Sequence, residues 1–270
     1  MIATALDLDA YVERIQYAGG TDPGFDTLTR LLRAHMAAIP FENLDVLLGR
    51  PVRLDLDGVQ RKLVRAHRGG YCFEHATLFA AVLERLGFRP VRHTARVVLV
   101  APRTQSPRTH MFLTVPLGEE TFVVDPGFGA FAPDVPLVLG EGTAARAGSA
   151  THWMARDGVE WVLRTQSGGK TLDCWVSTLD QDNLVDFEVG NHFTATHPTS
   201  PFVNRIMMRA LTGDGRVTVM NRDLTIWRGD EAHATQLAHR AALRSLLVEH
   251  FGFDLPEVER LRVPSIPEWA

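Results

Sequence analysis

Arg68-Gly69-Gly70-Tyr71-Cys72-Phe73-Glu74-His75 sets one of the chain's two cysteines between a glycine pair and a helical pattern. The apolar positions of that pattern, Phe79, Val82, Leu83 and Leu86, recur at the spacing of a buried stripe. A cysteine at a helix start meets unpaired backbone amides and the positive end of the helix dipole. Both favour thiolate over thiol and make the sulfur a nucleophile candidate. Gly69 and Gly70 permit a sharp turn and leave room for an acyl group to reach the sulfur.

A nucleophile needs a base, and the base needs a group that orients it. Downstream, Thr109-His110-Met111-Phe112-Leu113-Thr114-Val115 reads as a strand with a histidine near its start. A second strand, Thr121-Phe122-Val123-Val124, runs into Asp125-Pro126-Gly127-Phe128-Gly129, where proline and glycines end pairing. Two neighbouring strand ends can bring His110 and Asp125 together. The chain order Cys72, His110, Asp125 therefore permits a thiol, imidazole and carboxylate relay. Taken singly, each residue is weak evidence: a lone cysteine is most often a small buried hydrophobe, and Asp-Pro-Gly is a common turn. Their combination in this order carries the signal.

Composition narrows the class. A chain of 270 residues with 45% hydrophobic content can bury one large core or two to three smaller ones, so the chain is globular. A net charge of -4 argues against a nucleic-acid binder. Cys72 and Cys174 are too widely separated to suggest a disulfide framework, and no basic-then-apolar leader or membrane-length apolar run is present, which leads to the expectation of a soluble, cytoplasmic protein. His67, Cys72 and His75, or His233 and His239 on a later helical pattern, could supply metal ligands. None has the His-Glu-x-x-His or paired-cysteine spacing that zinc requires, so no metal is expected.

The hydrophobic period changes along the chain. Asp7 or Asp9 caps a helix carrying Leu8, Tyr11, Val12 and Ile15. Asp26 precedes a second, with Leu28, Leu31, Leu32 and Met36, that Pro40 ends. A third runs from Asp57 through Val59 and Leu63. From Val91 the pattern is that of strands: 97–100, the His110 and Phe122 runs, 161–163 and 174–176, with turns at Asp157-Gly158 and Ser167-Gly168-Gly169. An antiparallel barrel or strongly curled sheet is the expected result. After Pro198 come strand-like runs at 205–211, 216–220 and 224–227, then a helix carrying Leu237, Ala241, Leu246, Leu247 and Phe251. The breaks in pattern put boundaries near residues 87 and 190.

In these residues the chain resembles the arylamine N-acetyltransferases. The likeness rests on the cysteine octet, on His110, on Asp125-Pro126-Gly127-Phe128-Gly129, on Ile39-Pro40-Phe41-Glu42-Asn43-Leu44 and on Pro198-Thr199-Ser200-Pro201-Phe202, in family order from near residue 6 to the C-terminal helix. One departure is Ala76, where the family often has asparagine. The resemblance implies a multi-domain α+β fold: an N-terminal helical bundle (1–87) carrying Cys72, a central antiparallel β-barrel (88–190) carrying His110 and Asp125, and an α/β lid (191–270), with a triad like that of cysteine proteases. It implies acetyl transfer from acetyl-coenzyme A, as co-substrate and not as a resident cofactor, to an aromatic amine, hydroxylamine or hydrazine, by a ping-pong route through acetyl-Cys72.

Backbone amides around Cys72 and near Thr109 are candidates for stabilising the oxyanion. Gly127, Phe128, Gly129 and Phe202 resemble positions lining the acceptor slot and the coenzyme A entrance, with ordinary core filling as the alternative for the two aromatics. Arg68 is expected to pair with Glu42 or Asn43 and lock the loop, since a buried arginine needs a partner. Neither nucleic acid nor membrane is an expected partner, and homodimerisation is left open. The cradle of the other acetyltransferase class, an Arg or Gln followed by Gly-x-Gly between a strand and a helix, is not found. The rivals are an amide synthase of the same fold acting on a polyketide acyl chain, a cysteine hydrolase, and a non-catalytic coenzyme A-binding protein.

Overall fold

The computed structural model describes residues 5–147, 150–229 and 231–269. Helix α1 (Leu8–Arg14) begins at Asp7, whose carboxylate accepts from the Ala10 amide at 3.1 Å. Helix α2 (Phe25–Ala38) starts after the extended residue Gly24 and not after Asp26. Asp26 lies in the first turn, where its charge suits the helix dipole and pairs with Arg30. Leu28, Leu31, Leu32 and Met36 form the buried stripe of α2, and the helix stops at Ile39 because Pro40 disfavours helical geometry before it. Two short helices follow, α3 (Leu44–Leu47) and α4 (Leu56–Val59), the latter widening into π-helical turns over Gln60–Arg65. Helix α5 (Cys72–Arg85) opens at the cysteine itself.

Eight strands form one antiparallel sheet: β1 (Val91–Val97), β2 (Arg108–Leu117), β3 (Glu120–Val124), β4 (Leu137–Val138), β5 (Ala144–Ala147), β6 (Ala150–Asp157), β7 (Glu160–Ser167) and β8 (Lys170–Ser177). Their order is β4-β3-β2-β1-β8-β7-β6-β5, and the sheet curls until β4 meets β6, giving a nearly closed barrel. The sequence pattern announces none of β4, β5 and β6, of which β4 and β5 are short and β5 is alanine-rich, and the strand expected at 97–100 is instead β1, which ends at Val97. Alternation along β2 separates two cores. Met111, Leu113 and Val115 pack with the helices, whereas Phe112 turns into the barrel with Met154, Leu163 and Trp175. His110, two residues before Phe112, shares its face, and their rings stack 6.4 Å apart.

Helix α6 (Leu184–Thr196) has no counterpart in the sequence reading and runs through residue 190. Its apolar Leu184, Val185 and Val189 are exposed while Phe187, Gly190 and Thr194 are buried, so no stripe announces it. Gly190 permits its close approach to α5: a Cβ there would lie 2.9 Å from the Phe73 ring. Helix α7 (Pro201–Asn204) follows, so the strand expected from Arg205 begins only at β9 (Met207–Thr212). With β10 (Gly215–Met220), β11 (Asp223–Arg228) and β12 (Glu231–Gln236) it makes a second antiparallel sheet. His233 lies in β12, an exposed strand without apolar alternation, and not in a helix. Helix α8 (Arg240–Leu246) is capped by His239 and continues as π-helical turns to Phe251, which leaves Leu237 outside it. A third core joins this sheet to α8 and to the segment from Phe253 to Trp269. No helix among the described residues is long and apolar enough to cross a membrane.

Candidate active site

Two short backbone pairings hold the loop before Cys72 against the Pro40-Phe41-Glu42 segment. The Gly70 amide donates to Pro40 O at 3.1 Å, and the Glu42 amide donates to Gly70 O at 2.8 Å. A Cβ on Gly69 would stand 2.2 Å from Pro40 O, so that glycine is required by the closeness of the two chains. The helix start is fixed by Glu74, whose Oε2 accepts from the Tyr71 amide at 3.0 Å.

Beneath this loop lies a buried ionic cluster. The Arg68 guanidinium donates to Glu42 Oε1 at 2.5 and 3.1 Å and to Asp45 Oδ1 at 3.0 Å. Lys62 Nζ lies 2.9 Å from both Asp45 Oδ2 and Glu74 Oε1. Burial alone would push both cations toward neutrality, but the carboxylates around them hold their pKa values above the ordinary range. Asn43, the other expected partner of Arg68, does not bond it. Its amide donates to Phe202 O and Arg205 O and its oxygen accepts from the Met207 amide, tying α7 and β9 to the Glu42 segment. Lys62 and Asp45 escaped the sequence reading because each resembles an ordinary solvated charge.

Cys72 is only 3% exposed, and its Sγ lies 3.8 Å from Thr109 O, so Thr109 presents a carbonyl oxygen to the sulfur. His110 and Asp125 are brought together by the β2–β3 pairing, with His110 Nε2 at 2.8 Å from Asp125 Oδ2. Nε2 being engaged, Nδ1 is the nitrogen left for the sulfur. Burial would lower the His110 pKa, but the Asp125 charge and hydrogen bond, together with the Cys72 sulfur, push it up to about 10. Asp125 Oδ2 accepts a second bond, from Trp175 Nε1 at 3.0 Å, while Oδ1 is buried without a partner among the described residues. Ala76, four residues after Cys72 in α5, is fully buried and offers no polar side-chain atom to the loop. Trp175 was missed by the sequence reading, although a tryptophan inside an apolar strand carries its own signal, since a buried indole N–H must find an acceptor.

The turn after Asp125 meets the helix start. A Cβ on Gly127 would lie 2.6 Å from Cys72 Cα, and Gly129 has φ of +60° with its oxygen accepting from Arg209 Nη1 at 2.7 Å. Phe128 is half-buried with its ring 4.8 Å from that of His110, whereas Phe202 packs on Tyr71 at 5.3 Å and Phe41 at 6.2 Å. Among the described residues, no three His, Cys, Asp or Glu side chains group as metal ligands. A thiol at a helix start with an imidazole and carboxylate beside it can attack an acyl carbon and shuttle the proton.

The N-acetyltransferase family model matches residues 24–260. The arylamine N-acetyltransferase of Mycobacterium bovis is 38% identical over 260 residues, covering 94% of this chain and 92% of that protein. The chain belongs to the arylamine N-acetyltransferase family. A second relative, the arylamine N-acetyltransferase / N-hydroxyarylamine O-acetyltransferase of Salmonella typhimurium, is 33% identical, covering 93% of this chain and 90% of that protein. Among solved structures, Mycobacterium marinum arylamine N-acetyltransferase in complex with CoA superposes with a TM-score of 0.88 at 36% identity, covering 93% of this chain and 94% of that one. Membership makes this protein a transferase of acyl groups, and it matches the family in its mixed α/β architecture as well as in sequence.

Proposed function

We propose that this family member moves an acetyl group from acetyl-coenzyme A to a small aromatic amine, hydroxylamine or hydrazine through an acetyl-Cys72 intermediate. The observation that carries the reading is the 2.8 Å bond between His110 Nε2 and Asp125 Oδ2, with Cys72 opening α5 beside it. The Asp125 charge and hydrogen bond favour imidazolium at His110, and an imidazolium beside Cys72 stabilises the thiolate form that attacks.

In the first half-reaction the Cys72 thiolate bonds to the thioester carbon, the tetrahedral oxyanion collapses, and the carbon–sulfur bond to coenzyme A breaks. The leaving thiolate takes the proton from His110 Nδ1. In the second, the amine nitrogen attacks the acetyl-enzyme while neutral His110 accepts its proton, and Cys72 leaves as thiolate. Thioester exchange is nearly thermoneutral, so the work of the site is to form thiolate and to stabilise the oxyanion, with the amides at Cys72 and near Thr109 as donors. The helical residues to 87 supply the nucleophile, the barrel of strands β1 to β8 the base and carboxylate, and the residues from α6 onward a cover. Support for acetyl-coenzyme A comes from the CoA complex of the Mycobacterium marinum relative. Phe128, against the His110 ring, and Phe202 wall the acceptor slot.

Intact-mass spectrometry after mixing with acetyl-coenzyme A, then with an arylamine, tests the reading. One acetyl group should appear on Cys72 and leave when the amine is added. Rapid loss to water alone would favour a hydrolase, and uptake of long acyl chains in preference to acetyl would favour an amide synthase.

A further inference from the structure

Behind the nucleophile turn lies a second polar chain that the chemistry above does not use. Tyr11 of α1, His35 of α2 and His75 of α5 are all buried. Tyr11 Oη lies 2.9 Å from His35 Nδ1, His35 Nε2 lies 2.9 Å from His75 Nδ1, and His75 Nε2 lies 3.2 Å from Pro40 O. The last contact sets the direction of the whole chain. A carbonyl oxygen can only accept, so His75 carries its proton on Nε2. Its Nδ1 then accepts from His35 Nε2–H, and His35 Nδ1 accepts from the Tyr11 hydroxyl. Every ring nitrogen has a partner, and both imidazoles are neutral.

Charge and burial agree with that assignment. Burial pushes the His75 pKa down to about 4, and burial together with the neighbouring His75 and Arg14 pushes that of His35 well below the usual histidine range. The chain ends where it matters for the cysteine. Pro40 O accepts from the Gly70 amide as well as from His75, so a single oxygen is bonded on both sides of Cys72, two residues before it and three after. The His75 amide also donates to Tyr71 O at 3.0 Å, closing the first turn around the sulfur-bearing residue.

We propose that Tyr11, His35 and His75 are positioning residues for the nucleophile, their one-way hydrogen-bond chain holding the His75 ring in place with its Nε2–H on Pro40 O and so holding the Gly70–His75 turn where Cys72 meets His110. This inference rests on the reading of Cys72 as the acyl-accepting sulfur. Losing the terminal donor leaves His35 Nδ1 an unpaired buried acceptor, and because Pro40 O still demands Nε2–H on His75 the flipped tautomer offers no relief, so the two rings must shift to solvate or repack that nitrogen and loosen the contact with Pro40 O.

The test compares full-length wild-type protein with Tyr11→Phe, His75→Gln and His75→Leu, reading the rate constant for Cys72 acetylation by acetyl-coenzyme A, the arylamine KM and the melting temperature. Tyr11→Phe keeps shape and should slow acetylation about fivefold, and His75→Leu about tenfold or more, because a misplacement of about 1 Å can cost on the order of 10²-fold. His75→Gln should return the rate to within about threefold of wild type, since its Oε1 can accept from His35 and its Nε2 donate to Pro40. Where acetylation limits turnover, kcat and the apparent arylamine KM should fall together, leaving kcat/KM for the amine unchanged. Should His75→Leu fail to fold, Tyr11→Phe decides. Tyr11→Phe acetylated within about twofold of the wild-type rate, or Gln and Leu at position 75 slowing it equally, would overturn the proposal, because a merely structural role affects melting and not the rate per folded molecule. Wild-type protein that takes no acetyl group on Cys72 would instead remove the nucleophile reading, and this inference with it.

Discussion

Trp175 and His110 donate to the same carboxylate oxygen, Asp125 Oδ2, at 3.0 and 2.8 Å. The indole comes from β8, which reaches β2 only through β1, so the sheet order places a strand distant in sequence behind the histidine's partner. Trp175 also stacks on Phe112 at 4.2 Å, and Phe112 stacks on His110. One side chain thus fixes the carboxylate and backs the imidazole.

Trp175→Phe keeps that stacking and removes the N–H. A hydrogen bond to a charged group contributes about 1.5–3 kcal/mol, so acetylation of Cys72 should slow by roughly 10- to 100-fold and unfolding stability should fall by a similar energy. Rapid-quench acetylation and urea unfolding read the two. A variant unchanged in both would mean that the carboxylate is held by other contacts.

The pH response follows from His110, whose pKa is raised from 6.5 to about 10. A raised folded-state value means that the native state holds this proton more tightly than the unfolded chain does. The associated stability is complete below about pH 6.5 and is lost as pH rises through about 10. Acetylation, which needs the imidazolium as proton donor, should decline over the same upper limb. In Asp125→Asn that limb should move toward the ordinary histidine range, as pH profiles of single-turnover acetylation would read. His75 runs the other way: its pKa is lowered to about 4, so stability is lost as pH falls below about 6.5 toward that value.

How much of this was legible beforehand depends on periodicity. The stripes of α2 and α5 and the alternation of β2 are visible in the sequence because one face of each is buried. Helix α6 is not, since its apolar residues face both solvent and core, and β12 is not, since all its residues are exposed. Cys72, His110 and Asp125 stand beside glycines, strand ends and a proline that mark them. Lys62 and Asp45 carry no such local mark, because what singles them out is a set of long-range contacts made only on folding.

Gly127→Ala tests how tightly the Asp125 turn sits on the cysteine. The new Cβ would fall 2.6 Å from Cys72 Cα and 3.2 Å from Cys72 O, both backbone atoms that cannot swing away. The turn or the helix start must shift by several tenths of an ångström. Acetylation should drop by roughly tenfold or more, given a cost on the order of 10²-fold per ångström of misplacement. Native rates, with a cooperative melt, would mean that the contact relaxes freely.

The two cysteines should differ in reactivity toward iodoacetamide. Burial, with smaller contributions from Asp125 and Asp173, pushes the Cys174 thiol up to about 12. Cys72 opens a helix next to His110. Peptide mapping at neutral pH should find label on Cys72 at least about tenfold ahead of Cys174, with activity lost in step, because the thiolate is the reacting species. Equal labelling would sink the claim of an activated sulfur.

Acceptor choice should follow Phe128 and Phe202. Phe128 lies 4.8 Å from the His110 ring, where an attacking amine must deliver its proton, and Phe202 packs on Tyr71, the residue before the nucleophile. If the two rings wall the acceptor slot, Phe128→Leu should leave Cys72 acetylation nearly intact while changing discrimination among amines by about 1–3 kcal/mol, the range for altered apolar contact in a pocket. Bulkier arylamines should gain relative to hydrazines, read as kcat/KM ratios across a series of amines. Phe202→Leu should shift the same series less, since Phe202 reaches the site through Tyr71 and Phe41. Equal losses with every acceptor, together with slowed acetylation, would instead assign both rings to core packing around the cysteine loop.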